Sequence, residues 1–172
     1  MAMDDTIKTA LWNQFGAAID MLDDAITACP DALWTAVLWD DPDDPRYGQV
    51  WFIAYHVLMW LDLYLDSASR KAFVPPAPFL NGRLPDAPYP RTVIQAYLQR
   101  CREKCRRVIL GLTAEKANEI QTFDWGGDLT FLELQLYCMR HVQEHSSQLH
   151  YLLGRHGIAI DDWLSLPRDA GA

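Results

Sequence analysis

The chain has 172 residues, half of them hydrophobic and 12% aromatic, which supplies a sizeable core and excludes a disordered polymer. Fifteen basic residues against 23 acidic ones leave a net charge of −8, which opposes a phosphate-binding surface and therefore nucleic acid as a partner. The N-terminal stretch lacks the basic-then-apolar layout of a secretory leader, and the longest nearly apolar run, Val50 to Leu61, is too short to span a bilayer, so a cytoplasmic protein with no membrane partner is expected.

A single domain, residues 1–172, is expected. The first helix is predicted over about 6–28, where Ile7, Leu11, Phe15, Ala18, Ile19, Leu22 and Ile26 recur at a helical period. Asp4 or Asp5 can cap it, and Cys29-Pro30 ends it. Trp34 and Trp39 then cover one end of the fold. Residues 40–48 form an acidic, proline-containing loop that lacks the alternating spacing, central Gly and terminal Glu of a calcium site.

The second helix, about 49–67, places Phe52, Ile53, His56, Met59, Trp60 and Leu63 on one side. His56 is thus a polar residue within an apolar stripe; by itself that describes a hydrogen-bonded core histidine. Residues 73–90 hold six prolines and read as an extended crossover, long enough for the helices it joins to run parallel. A loop of this length is often a lid or a dimer arm. The third helix, about 91–112, follows Pro90, with Thr92 and Gln95 spaced as a capping box. Gly126-Gly127 marks a turn, and Trp125 beside it is expected at the mouth of the fold. The last helix, 130–153, opens on the Thr130/Glu133 capping box and stops at Gly154. Its inward line is Phe131, Leu134, Cys138, His141, His145, Gln148 and Leu152. In the tail, Ile158, Ile160, Trp163 and Leu164 are expected to dock. The fold class is all-α, a four-helix bundle with a long crossover between the second and third helices.

Two imidazoles in the middle of a helix stripe need partners, because a buried polar group left unsatisfied is costly. His141 and His145 lie about 40° apart around the helix, so both can reach one metal ion. The third ligand must come from a facing helix, and His56 is the inward histidine elsewhere. His150 points away on the same helix and His156 lies beyond its end. Three neutral imidazoles leave coordination positions open to water or substrate. The cysteines Cys29, Cys101, Cys105 and Cys138 lack metal-ligand spacing and read as buried thiols of a reducing compartment. Cys138 lies one helical step from His141.

The second-helix segment FIAYHVLMWLDLYL combined with RHVQEHSSQLHYLLGRHG resembles the DinB/YfiT-like family of metal-dependent helical-bundle proteins. The residues that carry the resemblance are His56, His141, His145, Gln148, Leu149 and Gly154; Ser146-Ser147 and the proline-rich crossover depart from the usual pattern. The resemblance implies a DinB-like bundle, a divalent metal (nickel or zinc), a homodimer, and in some relatives thiol-dependent S-transfer or isomerisation.

Two rival readings fail on the residues. His141 to His145 spells the H-x-x-E-H of some zinc proteases, but no glutamate follows Glu144 to complete that ligand set. A di-iron carboxylate site needs Glu-x-x-His pairs, which are absent. The expectation is therefore a metal held by His56, His141 and His145. It would activate water or a low-molecular-weight thiol toward a small electrophilic substrate entering under the crossover, as an S-transferase or hydrolase. Glu144, Gln148, Cys138 and Trp125 are candidates for contact with the ligands or the substrate. The alternative is a non-catalytic, metal-stabilised or metal-free dimeric interaction module.

Overall fold

The computed structural model describes residues 3–66, 73–80, 83–123, 127–160 and 163–170. Asp4 accepts a hydrogen bond from the Thr6 amide at 2.7 Å, and from that cap α1 runs Asp5–Ala28. Cys29 turns extended and Pro30 stops the helix, as the sequence indicates. Two short 3-10 turns, Asp31–Leu33 and Pro45–Gly48, lead into α2, Val50–Asp66. Trp34 is buried and donates its indole N–H to the Tyr89 carbonyl at 2.8 Å, whereas Trp39 stays partly exposed.

Helix α2 is buried on nearly every side. Its half-buried strip is Phe52, His56 and Trp60, one turn apart from one another. His56 therefore lies on the strip that the rest of the helix leaves open, not in the centre of a buried stripe.

Helix α3, Arg91–Leu110, starts at Pro90 with no side-chain cap. The expected Thr92/Gln95 box does not form, because the Gln95 amide donates across to Thr27 Oγ1 on α1 at 3.1 Å. A short helix α4, Ala114–Ala117, precedes strands β1, Ile120–Phe123, and β2, Gly127–Thr130, which pair antiparallel. The all-α expectation is thus corrected to a mostly helical chain with one small sheet among the described residues.

Helix α5, Phe131–Arg155, begins at the predicted capping box, with the Thr130 hydroxyl accepting from the Glu133 amide and the Glu133 carboxylate accepting from the Thr130 amide. It does not stop at Gly154. It ends one residue later, at Arg155, and two residues beyond that Gly157 takes a φ of +72°, the left-handed value that follows helix ends and that glycine adopts without strain. Its inward line also differs in the second half. Phe131, Leu134 and Cys138 are buried as expected, but the line continues through Val142, Ser146, Leu149 and Leu153. His141, His145 and Gln148 flank that line and are half-buried.

Helix α1 packs against α3 and α5, and α2 packs against the same two. Helices α2 and α3 run the same way: Trp51 meets Tyr89, the Leu58 carbonyl meets the Cys101 thiol, and the Asp62 carbonyl accepts from Lys104 at 2.8 Å. The crossover returns the chain along this pair and is fastened to it. Phe79 stacks on Tyr97 at 4.5 Å and on Tyr55 at 5.3 Å, and the Tyr55 hydroxyl donates to the Leu80 carbonyl. The tail is held on the other side of the molecule. Arg102 pairs with the buried Asp20 and with Asp169, and the Arg168 amide donates to Asp20 at 2.8 Å. Pro167 lies so close to Gly16 that a Cβ there would approach it to 2.8 Å. Ile158 and Ile160 pack on the core as expected, but Trp163 is exposed, because the anchors of the tail are Pro167, Arg168 and Asp169. No described helix is long and apolar enough to cross a membrane.

Candidate metal centre

Helices α2 and α5 pack antiparallel, and their register is set by a buried contact in which the Gln135 amide donates to the Tyr64 carbonyl at 3.0 Å. Two turns further along each helix, that register brings His56 opposite His141 and His145. The ring centroids of His56 lie 5.2 Å from those of both α5 histidines, which are 4.5 Å from each other. One nitrogen from each ring falls within 4.8 Å of the other two. Phe52 and Trp60 contact the His56 ring from one turn before and one turn after it. The sequence carries that signal as the i−4 and i+4 positions around His56, which the stripe reading had assigned to the core.

The proton positions follow from the hydrogen bonds. His145 Nδ1 is 2.7 Å from the Gln148 carboxamide oxygen, which can only accept, so Nδ1 carries the proton and Nε2 presents a lone pair. His145 Nε2 lies 3.0 Å from His141 Nε2, which must therefore be the donor. His141 Nδ1 is then a lone-pair nitrogen, buried and without a hydrogen-bond partner among the described residues. Burial, with the neighbouring His145, lowers the His141 pKa from the ordinary 6.5 to about 4. Burial lowers that of His145 as well, against the opposing pull of Gln148 and Glu144. Both rings are neutral at pH 7, the state that ligates metals.

The remaining candidates separate clearly. Gln148 orients His145. Glu144 is exposed and acts on His145 only through its charge. Cys138 is fully buried on the core line, where burial pushes its thiol pKa far up, and it does not join the histidine group. The one-step spacing from His141 misleads, because α5 turns Cys138 inward and His141 to the flank. Trp125 lies outside the described residues. Among the described residues, the crossover meets α2 at Tyr55, whereas His56, about 100° further round α2, faces α5.

The family model of the DinB superfamily matches residues 14–149, a span that contains all three histidines. The chain belongs to the DinB superfamily. No curated protein matches it. Members of this superfamily often bind metal, and the donor set here fits such an ion. Three imidazole nitrogens converge, His145 Nε2 turns its lone pair toward the cluster, where it accepts from His141 Nε2, and Nδ1 of His141 can take up the proton that Nε2 would release.

Proposed function

We propose that His56, His141 and His145 hold one divalent ion, nickel or zinc, and that this DinB protein is a metal-dependent S-transferase or hydrolase acting on a small electrophile. The observation that supports it most is the convergence of the three imidazoles within 4.8 Å across two helices. An all-imidazole set from one chain leaves positions open, the pattern of catalytic rather than closed structural sites. When bound, such an ion supplies Lewis acidity and brings the pKa of a water or thiol toward neutrality.

The protein's own side chains do the rest. Gln148 fixes the His145 ring and its tautomer. Phe52 and Trp60 fix the His56 ring and limit water on that side. On the transferase reading the thiol is a low-molecular-weight one from solution, since Cys138, Cys101 and Cys105 are sealed in the core with raised pKa values. Its sulfur bonds to the electrophilic carbon, the leaving group departs with the electron pair of its bond, and the thiol proton goes to solvent. The fold on this reading is a single-domain DinB-like four-helix bundle.

The test is an S-conjugation and hydrolysis panel run on metal-stripped and on zinc- or nickel-reloaded protein. Turnover that appears only on reloading supports the enzyme. Turnover indifferent to chelation contradicts it.

A second reading, a dimeric interaction module, is favoured by a separate feature. Between α1 and α5, Ile7, Leu11, Leu132, Leu136 and Met139 line an apolar groove in which Ile7 and Leu136 are largely exposed. A second copy of the chain would cover it, and the two readings are compatible in one homodimer.

A further inference from the structure

A cleft of about 400 Å³ opens one turn along α5 from His145, between the segment that follows α1 and the last turns of α5. Its walls differ in chemistry. Trp39, Tyr151 and Leu152 present apolar surface, while Arg155 and His156 stand at one side. Gln148 lines the same cleft, and its carboxamide oxygen holds His145 Nδ1. The cleft and the histidine cluster therefore share a residue.

The charge arrangement is unusual for a chain of net charge −8. None of the residues lining the cleft is acidic. Asp41, two residues after Trp39, turns into its own loop and accepts from the Asp43 amide at 3.0 Å. Arg155, like Arg100, Arg107 and Arg140, has no acidic partner among the described residues, and of these four it is the one that lines the cleft with Trp39 and Tyr151. A guanidinium left unpaired beside aromatic surface suits an anion carried on a flat apolar body.

We infer that this cleft binds the substrate of the histidine site, and that the substrate is a small aromatic or otherwise flat apolar acid, its body against Trp39 and Tyr151 and its carboxylate on Arg155. The inference rests on the proposed metal site for its meaning, but the cleft can be tested without metal. The volume suits one drug-sized molecule or smaller.

The experiment titrates metal-free protein with 3-phenylpropionate, with 3-phenylpropionamide and 3-phenylpropylamine as comparators. Binding is followed on the indole N–H resonance of Trp39, assigned by its loss in Trp39→Phe. The acid should shift that resonance saturably, the amide should bind at least tenfold more weakly, and the amine should not bind. Arg155→Ala should weaken the acid at least tenfold while leaving the melting temperature unchanged. An acid that fails to move Trp39, an amine that binds as well, or an Arg155→Ala protein that binds the acid like the wild type would each overturn the inference. Zinc uptake by the same sample is read separately. Failure at the cleft with uptake intact overturns the cleft alone, and acid binding without uptake overturns the metal site alone.

Discussion

The Nε2 atoms of His141 and His145 lie 3.0 Å apart on successive turns of α5, and one proton is shared between them. Because His145 already spends its own N–H on Gln148, the shared proton belongs to His141. A metal ion and that proton compete for the same nitrogen. Zinc loading should therefore move the His141 proton from Nε2 to Nδ1. Ring ¹⁵N shifts of selectively labelled protein check this: the two His141 nitrogens should exchange their protonated and bare signatures on zinc addition. A His141 ring whose signature ignores zinc would remove it from the ligand set.

Gln148 is expected to matter for the same geometric reason. Gln148→Leu removes the acceptor that fixes the His145 tautomer, and losses of such orienting partners cost about 10–100-fold in metal affinity. Competition with a chromophoric chelator measures it. An unchanged affinity would mean that His145 needs no orientation from this side chain.

Acid should destabilise the metal-free protein through His141. The unfolded imidazole takes up its proton near the ordinary pKa of 6.5, whereas the buried one resists until about 4. Between those values the unfolded state binds more protons, so stability is full above about pH 6.5 and falls as pH drops toward 4. Urea denaturation across that window should show a steeper pH dependence for the wild type than for His141→Phe. Equal slopes would place the sensitivity elsewhere.

The tail clamp makes a prediction about stability alone. Asp20 is 1% exposed and accepts from Arg102 Nε at 2.6 Å and Nη2 at 3.0 Å. Removing one partner of a buried pair costs about 3–5 kcal/mol when the other charge is left uncompensated; here the Arg168 amide still donates to Asp20, which puts the loss toward the lower end of that range. Arg102→Ala should lose stability in chemical denaturation while Arg106 still holds Asp169 and Arg168 still holds the tail on α1. A loss below about 1 kcal/mol would mean that the pair behaves as a surface ion pair.

What could be read from the sequence follows from which signals are local. Asp4, the Cys29-Pro30 stop and the Thr130/Glu133 box act within one turn, and the helix limits near them match the structure to within one residue. The His141/His145 spacing is likewise intrinsic to a helix. The side each histidine faces depends on the neighbours. Ser146, absent from the expected inward line, is fully buried, while His141 and His145 lie on the flank, since α1 and α2 both press on α5 and rotate its inward line. The β-hairpin escaped because each strand has only four residues and little apolar alternation to declare it. The Asp20–Arg102–Asp169 clamp joins positions far apart in the chain and has no local signature.

Metal stoichiometry tests the central claim most directly. Protein loaded with zinc or nickel, desalted and analysed for elements, should carry one ion per chain. His56→Ala, His141→Ala and His145→Ala should each lose it while keeping the helical circular dichroism of the parent. One ion retained by any of the three variants, or none bound by the wild type, would contradict the account.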